Sequence, residues 1–227
     1  TFLLFYPFFT VFLSRTQVNN KIIMKHYSLL CLGDSYTIGQ GVSLYESFPY
    51  QLVQLLRKAH AHFYAPEIIA KTGWTTFELA EHLLHHQLND QYDFVTLLIG
   101  VNNQYRGLSI DDFKNDFEFL LRKALHYTKQ VSKNVIVISI PDWGITPFAT
   151  NRNLIQISKE IDAYNAICSS IAEKYGTHFV DITSEYRIEG MMTDFLAADQ
   201  LHPSGKEYAK WAENIFKIIN IQIKTNI

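Results

Sequence analysis

Short apolar runs alternate with longer amphipathic stretches along most of the chain. Five of the runs are apolar almost throughout, and this pattern is typical of strands that are buried on both faces of a sheet. Alternating apolar and polar residues would instead indicate strands with one face in water. We predict strands at residues 27–32, 67–70, 94–99, 134–140 and 178–182.

The stretches that follow these runs have apolar residues at helical spacing. Thr75 and Ser109 stand where two of them begin, and their hydroxyl groups suit helix N-caps. Asp111 and Asp112 fall in the first turn after Ser109, where the helix dipole favours acidic side chains. We predict helices over residues 47–62, 75–88, 109–128, 153–175 and 204–219.

Regular alternation of strands and helices predicts a parallel sheet with helices on both faces. We therefore expect an α/β protein, a three-layer α/β/α sandwich with a five-stranded parallel sheet. The sequence has no internal repeat and no Gly/Ser/Pro-rich linker, so residues 24–227 are predicted to form a single domain. Ligands of such sheets bind outside the carboxyl ends of the strands, so the residues that follow each run are the candidates for chemistry.

The first 23 residues differ in composition from the rest. Residues 1–23 hold five of the 16 phenylalanines and no acidic residue, and the first methionine is Met24. Residues 2–13 resemble the apolar core of a signal peptide, but no basic segment precedes them, and they are shorter than the roughly 20 residues that span a bilayer. An upstream extension, a truncated export signal and a structural arm all remain open. We expect a cytoplasmic protein if translation starts at Met24, and an exported one if residues 1–23 are a truncated signal.

Charge and cysteine content narrow the classes of partner. The 227 residues carry a formal net charge of −2 with 19% charged residues, which gives no electrostatic basis for nucleic-acid binding. We also predict no stable membrane span. Cys31 and Cys168 are too few for a disulfide framework and suit a reducing compartment.

Candidate catalytic residues follow four of the predicted strands. Ser35 in a Gly-Asp-Ser sequence, Gly73 and Asn102 follow the first three, and Asp199 and His202 lie in the segment after the last. Together they supply a nucleophile, a base with an orienting acid, and hydrogen-bond donors for a developing oxyanion. These are the parts needed for acyl transfer.

In this order, the motifs resemble the SGNH hydrolase superfamily, also called the GDSL esterase/lipase family. The four residues behind that name match Ser35, Gly73, Asn102 and His202, with Asp199 as the partner of the histidine. The resemblance implies a flavodoxin-like SGNH hydrolase fold and hydrolysis of esters. It implies that Ser35 attacks the carbonyl, that His202 is the base, and that Asp199 orients it. The oxyanion hole would consist of the Ser35 and Gly73 backbone N–H groups and the Asn102 side chain.

Two positions depart from the family pattern. Tyr36 replaces the usual leucine after Gly-Asp-Ser, and Asn103 replaces the usual aspartate after the catalytic asparagine. The second change removes a charge beside the proposed oxyanion donor. Neither touches a named catalytic residue.

Further residues near the strand ends are candidates for substrate binding. We predict contacts from Trp74, Asn103, Tyr105 and Trp143. His82, His85 and His86 are expected to lie on a solvated helix face, and we predict no metal and no cofactor.

The sequence favours a small, water-accessible ester, because no insertion after Met24 is long enough to form a lid. A carbohydrate O-deacetylase and a lysophospholipase or acyl thioesterase remain alternatives of the same family, and the oligomeric state stays open. A nucleotide-binding module is less favoured. Gly39 and Gly41 begin a dinucleotide-binding pattern whose third glycine is replaced by Leu44.

Overall fold

The computed structural model describes residues 25–225, so the predicted leader at residues 1–23 lies outside the described part of the chain. Its centre is a five-stranded sheet in which every neighbouring pair is parallel. Two short strands, β1 and β3, form a separate parallel sheet of their own. The strands are β1 (His26–Tyr27), β2 (Leu29–Gly33), β3 (His62–Phe63), β4 (Glu67–Ala70), β5 (Phe94–Leu98), β6 (Val135–Ile138) and β7 (His178–Val180).

Five long helices alternate with the sheet strands, and three short ones follow strand ends. The long helices are α2 (Phe48–Lys58), α3 (Thr76–His85), α5 (Ile110–Tyr127), α6 (Leu154–Tyr175) and α8 (Gly205–Thr225). The short ones are α1 (Ser35–Ile38), α4 (Val101–Tyr105) and α7 (Thr183–Glu189). The predicted five-stranded parallel α/β sandwich is therefore confirmed.

The strand order β4-β2-β5-β6-β7 explains how the helices distribute over the two faces. Right-handed crossovers place α2, which leads from β2 to β4, on one face, and α3, α5 and α6, which lead in the opposite direction, on the other. In agreement, α2 packs against α8, while α5 packs against both α3 and α6. All residues of β2, β5 and β6 are buried, as their uniformly apolar sequences predict.

The start of the chain departs from the predicted elements. The run at 27–32 is divided between β1 and β2, and Ser28 between them donates its backbone N–H to Asp93 at 2.9 Å. The predicted helix end at residue 62 is wrong. The helix ends at Lys58 because His60 adopts a left-handed conformation with φ of +65°, and the chain then forms β3.

The last helix is longer than predicted. It continues from residue 219 to Thr225, and Ile215, Ile219 and Ile223 are buried along one side of it at a spacing of four residues. The apolar stripe that stabilises the helix therefore extends beyond the predicted end. Among residues 25–225, no helix is both long enough and apolar enough to cross a bilayer.

The chain changes direction across the sheet at β2, since β4 lies on one side of it and β5 on the other. In parallel sheets, this position opens a crevice at the carboxyl ends of the strands. Ser35, Gly73 and Asn102 follow β2, β4 and β5, so the topology brings the loops of all three to the same crevice.

Candidate active site

Ser35 lies at an abrupt change from strand to helix. β2 ends at Gly33, and Ser35 is the first residue of α1. Between them, Asp34 caps the helix by accepting a hydrogen bond from the Tyr36 N–H at 3.0 Å. Burial raises the pKa of the Asp34 carboxyl to about 7, although the hydrogen bond from Tyr36 opposes the shift. The Ser35 side chain is thus held at the carboxyl end of a fully buried strand.

The Asp199 and His202 side chains meet within one tight turn. The turn is closed by a bridge between Leu196 and Pro203. Asp199 Oδ1 accepts the backbone N–H groups of Leu201 and His202, each at 3.0 Å. Its other oxygen, Oδ2, lies 2.6 Å from His202 Nδ1. A spacing of three residues therefore suffices for the carboxylate to reach the imidazole, because the carboxylate also organises the turn.

His202 connects the carboxylate to Ser35. Its Nε2 lies 2.9 Å from Ser35 Oγ, and both side chains are buried. If Nδ1 donates to Asp199, the neutral ring presents the Nε2 lone pair to the serine hydroxyl. Partial burial alone would raise the pKa of the Asp199 carboxyl, but hydrogen bonds from the His202 ring and from the turn hold that pKa below its usual range. The carboxylate therefore stays charged at neutral pH, as an orienting group requires.

Tyr36 packs against the imidazole of His202. The two ring centroids are 5.0 Å apart, and the tyrosine ring is almost completely buried. The substitution of tyrosine for the usual leucine therefore provides a flat aromatic neighbour for the histidine. Within residues 25–225, its hydroxyl has no hydrogen-bond partner.

We expect Tyr36→Phe to leave the free energy of unfolding unchanged or to raise it by about 1 kcal/mol, because the lost hydroxyl is buried and unpaired. Tyr92→Phe is the matched control. Tyr92 is also buried, but its hydroxyl donates to Glu67 at 2.6 Å, so its loss should cost about 1.5 kcal/mol. Urea unfolding monitored by circular dichroism measures both. Equal destabilisation by the two substitutions would show that the Tyr36 hydroxyl is paired.

Gly73 and Asn102 line the same cavity as Ser35 and His202. Gly73 has φ of +82°, a conformation that favours glycine. The Asn102 side chain donates from Nδ2 to the Trp74 carbonyl at 2.9 Å. A primary amide nitrogen has two hydrogens, so one donor of Asn102 remains for a ligand. The structure thus brings all five predicted catalytic and oxyanion residues to one place.

The four candidate substrate contacts divide into two pairs. Tyr105 and Trp143 line the cavity, whereas Trp74 and Asn103 do not. Trp74 packs against His82, with ring centroids 4.8 Å apart. Asn103 is buried, and its side-chain amide makes two hydrogen bonds to Thr76. Asn103 therefore stabilises the N-terminus of α3.

An aromatic wall borders the cavity, whose volume is about 220 Å³. Tyr105 and Phe148 each contact Trp143 at ring-centroid distances of 5.3 and 6.1 Å. A hydrogen bond fixes the orientation of Trp143, because its indole N–H donates to Gln104 Oε1 at 2.7 Å. Sequence reasoning missed Phe148 and Gln40, which also line the cavity. Both follow predicted strands, and this position was the available signal.

His82 of α3 and His86, the residue that follows the helix, form a stacked pair. The rings of His82 and His86 lie 4.8 Å apart. Burial, and then the nearby His86 and Lys71, lower the pKa of His82. Across residues 25–225, no group of three or more His, Cys, Asp or Glu side chains is arranged to hold a metal ion.

Residues 31–210 match the model of the GDSL-like lipase/acylhydrolase family. The chain belongs to this family. It is therefore an ester-hydrolysing enzyme, and a catalytic triad and an oxyanion hole are typical of its relatives. No curated protein sequence matches the chain.

Solved structures of the same fold are similar over most of their length. A lipase/acylhydrolase from Enterococcus faecalis is 19% identical, with a TM-score of 0.67, over 86% of this chain and 96% of that one. The acetylxylan esterase Axe2 from Geobacillus stearothermophilus is also 19% identical, with a TM-score of 0.67, over 85% and 94%. The psychrotrophic esterase EstA from Pseudoalteromonas sp. is 16% identical, with a TM-score of 0.63, over 87% and 99%. At these identities, the likeness establishes the fold.

Proposed function

We propose that this GDSL hydrolase is a serine esterase that cleaves small carboxylic esters through an acyl-enzyme on Ser35. The observation that carries the proposal is the continuous hydrogen-bonded chain from Asp199 through His202 to Ser35, with contacts of 2.6 and 2.9 Å. This series of hydrogen bonds ends at the cavity, where an ester carbonyl would meet the serine hydroxyl.

The reaction has two halves. Ser35 Oγ attacks the ester carbonyl while His202 Nε2 accepts the hydroxyl proton, and the proton then passes to the departing alcohol. Asp199 stabilises the imidazolium that forms in between. Water, activated by the same imidazole, releases the acid and restores the serine. We assign stabilisation of the developing oxyanion to the backbone N–H groups of Ser35 and Gly73 and to the second Nδ2 hydrogen of Asn102.

The cavity supports a small substrate. Its volume of about 220 Å³ lies below the range of about 300–1,000 Å³ that is usual for drug-sized ligands. Trp143 is buried and held by Gln104, so this part of the aromatic wall is fixed, whereas Tyr105 and Phe148 are exposed. Acetyl and butyryl groups fit such a space better than long acyl chains. A carbohydrate O-deacetylase and a lysophospholipase or thioesterase would use the same chemistry on other leaving groups.

A panel of p-nitrophenyl esters from acetate to palmitate tests the proposed substrate class. We expect kcat/KM to be highest for the acetate and butyrate and to fall once the acyl chain exceeds about eight carbons, because the cavity is too small to bury it. Acetylated sugars and acyl-CoA thioesters in the same panel distinguish the alternatives. Strong interfacial activation on long-chain emulsions, with negligible hydrolysis of soluble short esters, would contradict the proposal.

A further inference from the structure

Residues 71–74 form a turn whose type decides where the Gly73 N–H points. The Trp74 N–H donates to the Lys71 carbonyl at 3.2 Å, which closes the turn. Gly73 at its third position has φ of +82°, whereas Thr72 at the second has a negative φ. These angles define a type II turn. A type I turn over the same four residues would rotate the peptide between the second and third positions by about 180° and direct the Gly73 N–H to the opposite side.

Arg106 binds this turn from outside the cavity. Its Nη2 donates to the Gly73 carbonyl at 2.5 Å, while its Nη1 pairs with Glu78 on α3 at 3.4 Å. A guanidinium is planar and presents several donors at fixed angles, so one side chain holds both partners. A hydrogen bond from a charged donor is also stronger than a neutral one.

The arginine does not line the cavity of Ser35, so it would act through Gly73 and not on the substrate. Asn102 and Asn103, which lie in α4 just before Arg106, contact the residues that follow Gly73. Asn102 holds the Trp74 carbonyl, and the Asn103 side chain accepts the Thr76 N–H at 3.0 Å. Of these contacts, only that of Arg106 is made to the glycine itself.

We propose that Arg106 is a positioning residue, which anchors the turn of residues 71–74 and thereby keeps the Gly73 N–H in place at the Ser35 cavity. The inference rests on the proposed function, because the N–H contributes to catalysis only if an oxyanion forms above Ser35. Removal of the arginine would free the Gly73 carbonyl and let the whole turn of residues 71–74 shift relative to Ser35. The cost would fall on the transition state more than on substrate binding.

Arg106→Ala tests this role without disturbing the core, since 44% of the arginine side chain is exposed. We expect kcat on p-nitrophenyl acetate to fall about tenfold with little change in KM, the effect of losing one charged hydrogen bond. Glu78→Gln is the matched control. It removes the ion pair with Arg106 but keeps an acceptor for the Thr75 N–H, so kcat should stay near the wild-type value.

Chemical rescue separates positioning from a merely structural role. Millimolar guanidinium should restore part of the kcat of Arg106→Ala, because the emptied position faces solvent, whereas sodium chloride at equal ionic strength should not. Arg106→Lys, which keeps one donor, should fall between the wild type and the alanine variant. A wild-type kcat in Arg106→Ala, or a loss that no guanidinium recovers, would overturn the inference.

A readout without catalysis makes the two proposals separable. Labelling with ¹⁵N-glycine gives a spectrum of only ten glycine amides, in which Gly73→Ala identifies the Gly73 signal. We expect Arg106→Ala to shift and broaden that signal, and Glu78→Gln to leave it in place. An unchanged Gly73 signal would overturn the role of Arg106 even in an active enzyme. Failure of the wild type to hydrolyse any ester would instead refute the proposed function.

Discussion

Replacing Ser35 with alanine is expected to lower kcat by roughly 10⁴- to 10⁶-fold, because the variant has no atom that can form the acyl-enzyme. His202→Ala should cause a loss of similar size, since Ser35 Oγ has its 2.9 Å contact with that imidazole. The two residues act as a unit. The double variant should therefore be little worse than either single one.

Steady-state kinetics on p-nitrophenyl acetate and labelling with a fluorophosphonate probe measure this effect. The wild type should gain one covalent adduct at Ser35, seen by mass spectrometry of the intact protein, and Ser35→Ala should gain none. Ser184→Ala is the matched control. Ser184 is an exposed serine on α7 whose hydroxyl contacts Asp181, and its variant should label like the wild type. Equal labelling of Ser35→Ala would contradict the assignment of the nucleophile.

Asp199→Asn is expected to lower kcat by roughly 10⁴-fold while the protein stays folded. The new side chain keeps an oxygen for the backbone N–H groups of Leu201 and His202, so the turn survives. Its amide nitrogen can face His202 Nδ1 in place of the carboxylate oxygen. A donor at this position forces the ring into the other tautomer, in which Nε2 carries the hydrogen and cannot accept the Ser35 proton.

Kinetics and thermal unfolding of Asp199→Asn, taken together, check this expectation. Asp194→Asn is the matched control. Asp194 lies in the same segment and pairs with Lys206 at 2.6 Å, but its side chain is far more exposed than that of Asp199. The kcat of this control should equal that of the wild type. In the wild type, the Asp199 carboxyl should stay charged as the pH falls to mildly acidic values, because its pKa lies below its usual range. An Asp199→Asn variant with nearly full activity would remove Asp199 from the mechanism.

Much of the site could be predicted from the sequence because its residues stand next to predictable elements. Mostly apolar runs marked all five sheet strands, although those at 67–70 and 178–182 include polar residues. Parallel strands place their carboxyl ends at one edge. Ser35, Gly73 and Asn102 were found on that basis. The three-residue spacing of Asp199 and His202 is common by chance, so these two residues were identified by their place after the last predicted strand and by the order of the motifs.

Contacts between distant segments could not be predicted in this way. Nothing around Tyr36 indicates that its ring packs on His202, which lies 166 positions later in the chain. The interpretation of Asn103 as a substrate contact followed from its position beside Asn102, but its side chain reaches Thr76 instead. Which side of a short helix faces the cavity depends on how that helix packs against other elements.

The sequence by itself determined the order of strands and helices, the edge of the sheet that carries the chemistry, and five residues of the candidate site. These depend on local periodicity and on residue types, which the chain carries in every conformation. Only the tertiary structure decided that Trp143 lines the cavity and that Arg106 holds the Gly73 carbonyl. Those contacts join loops that follow different strands, so they exist only once the sheet has brought the loops together.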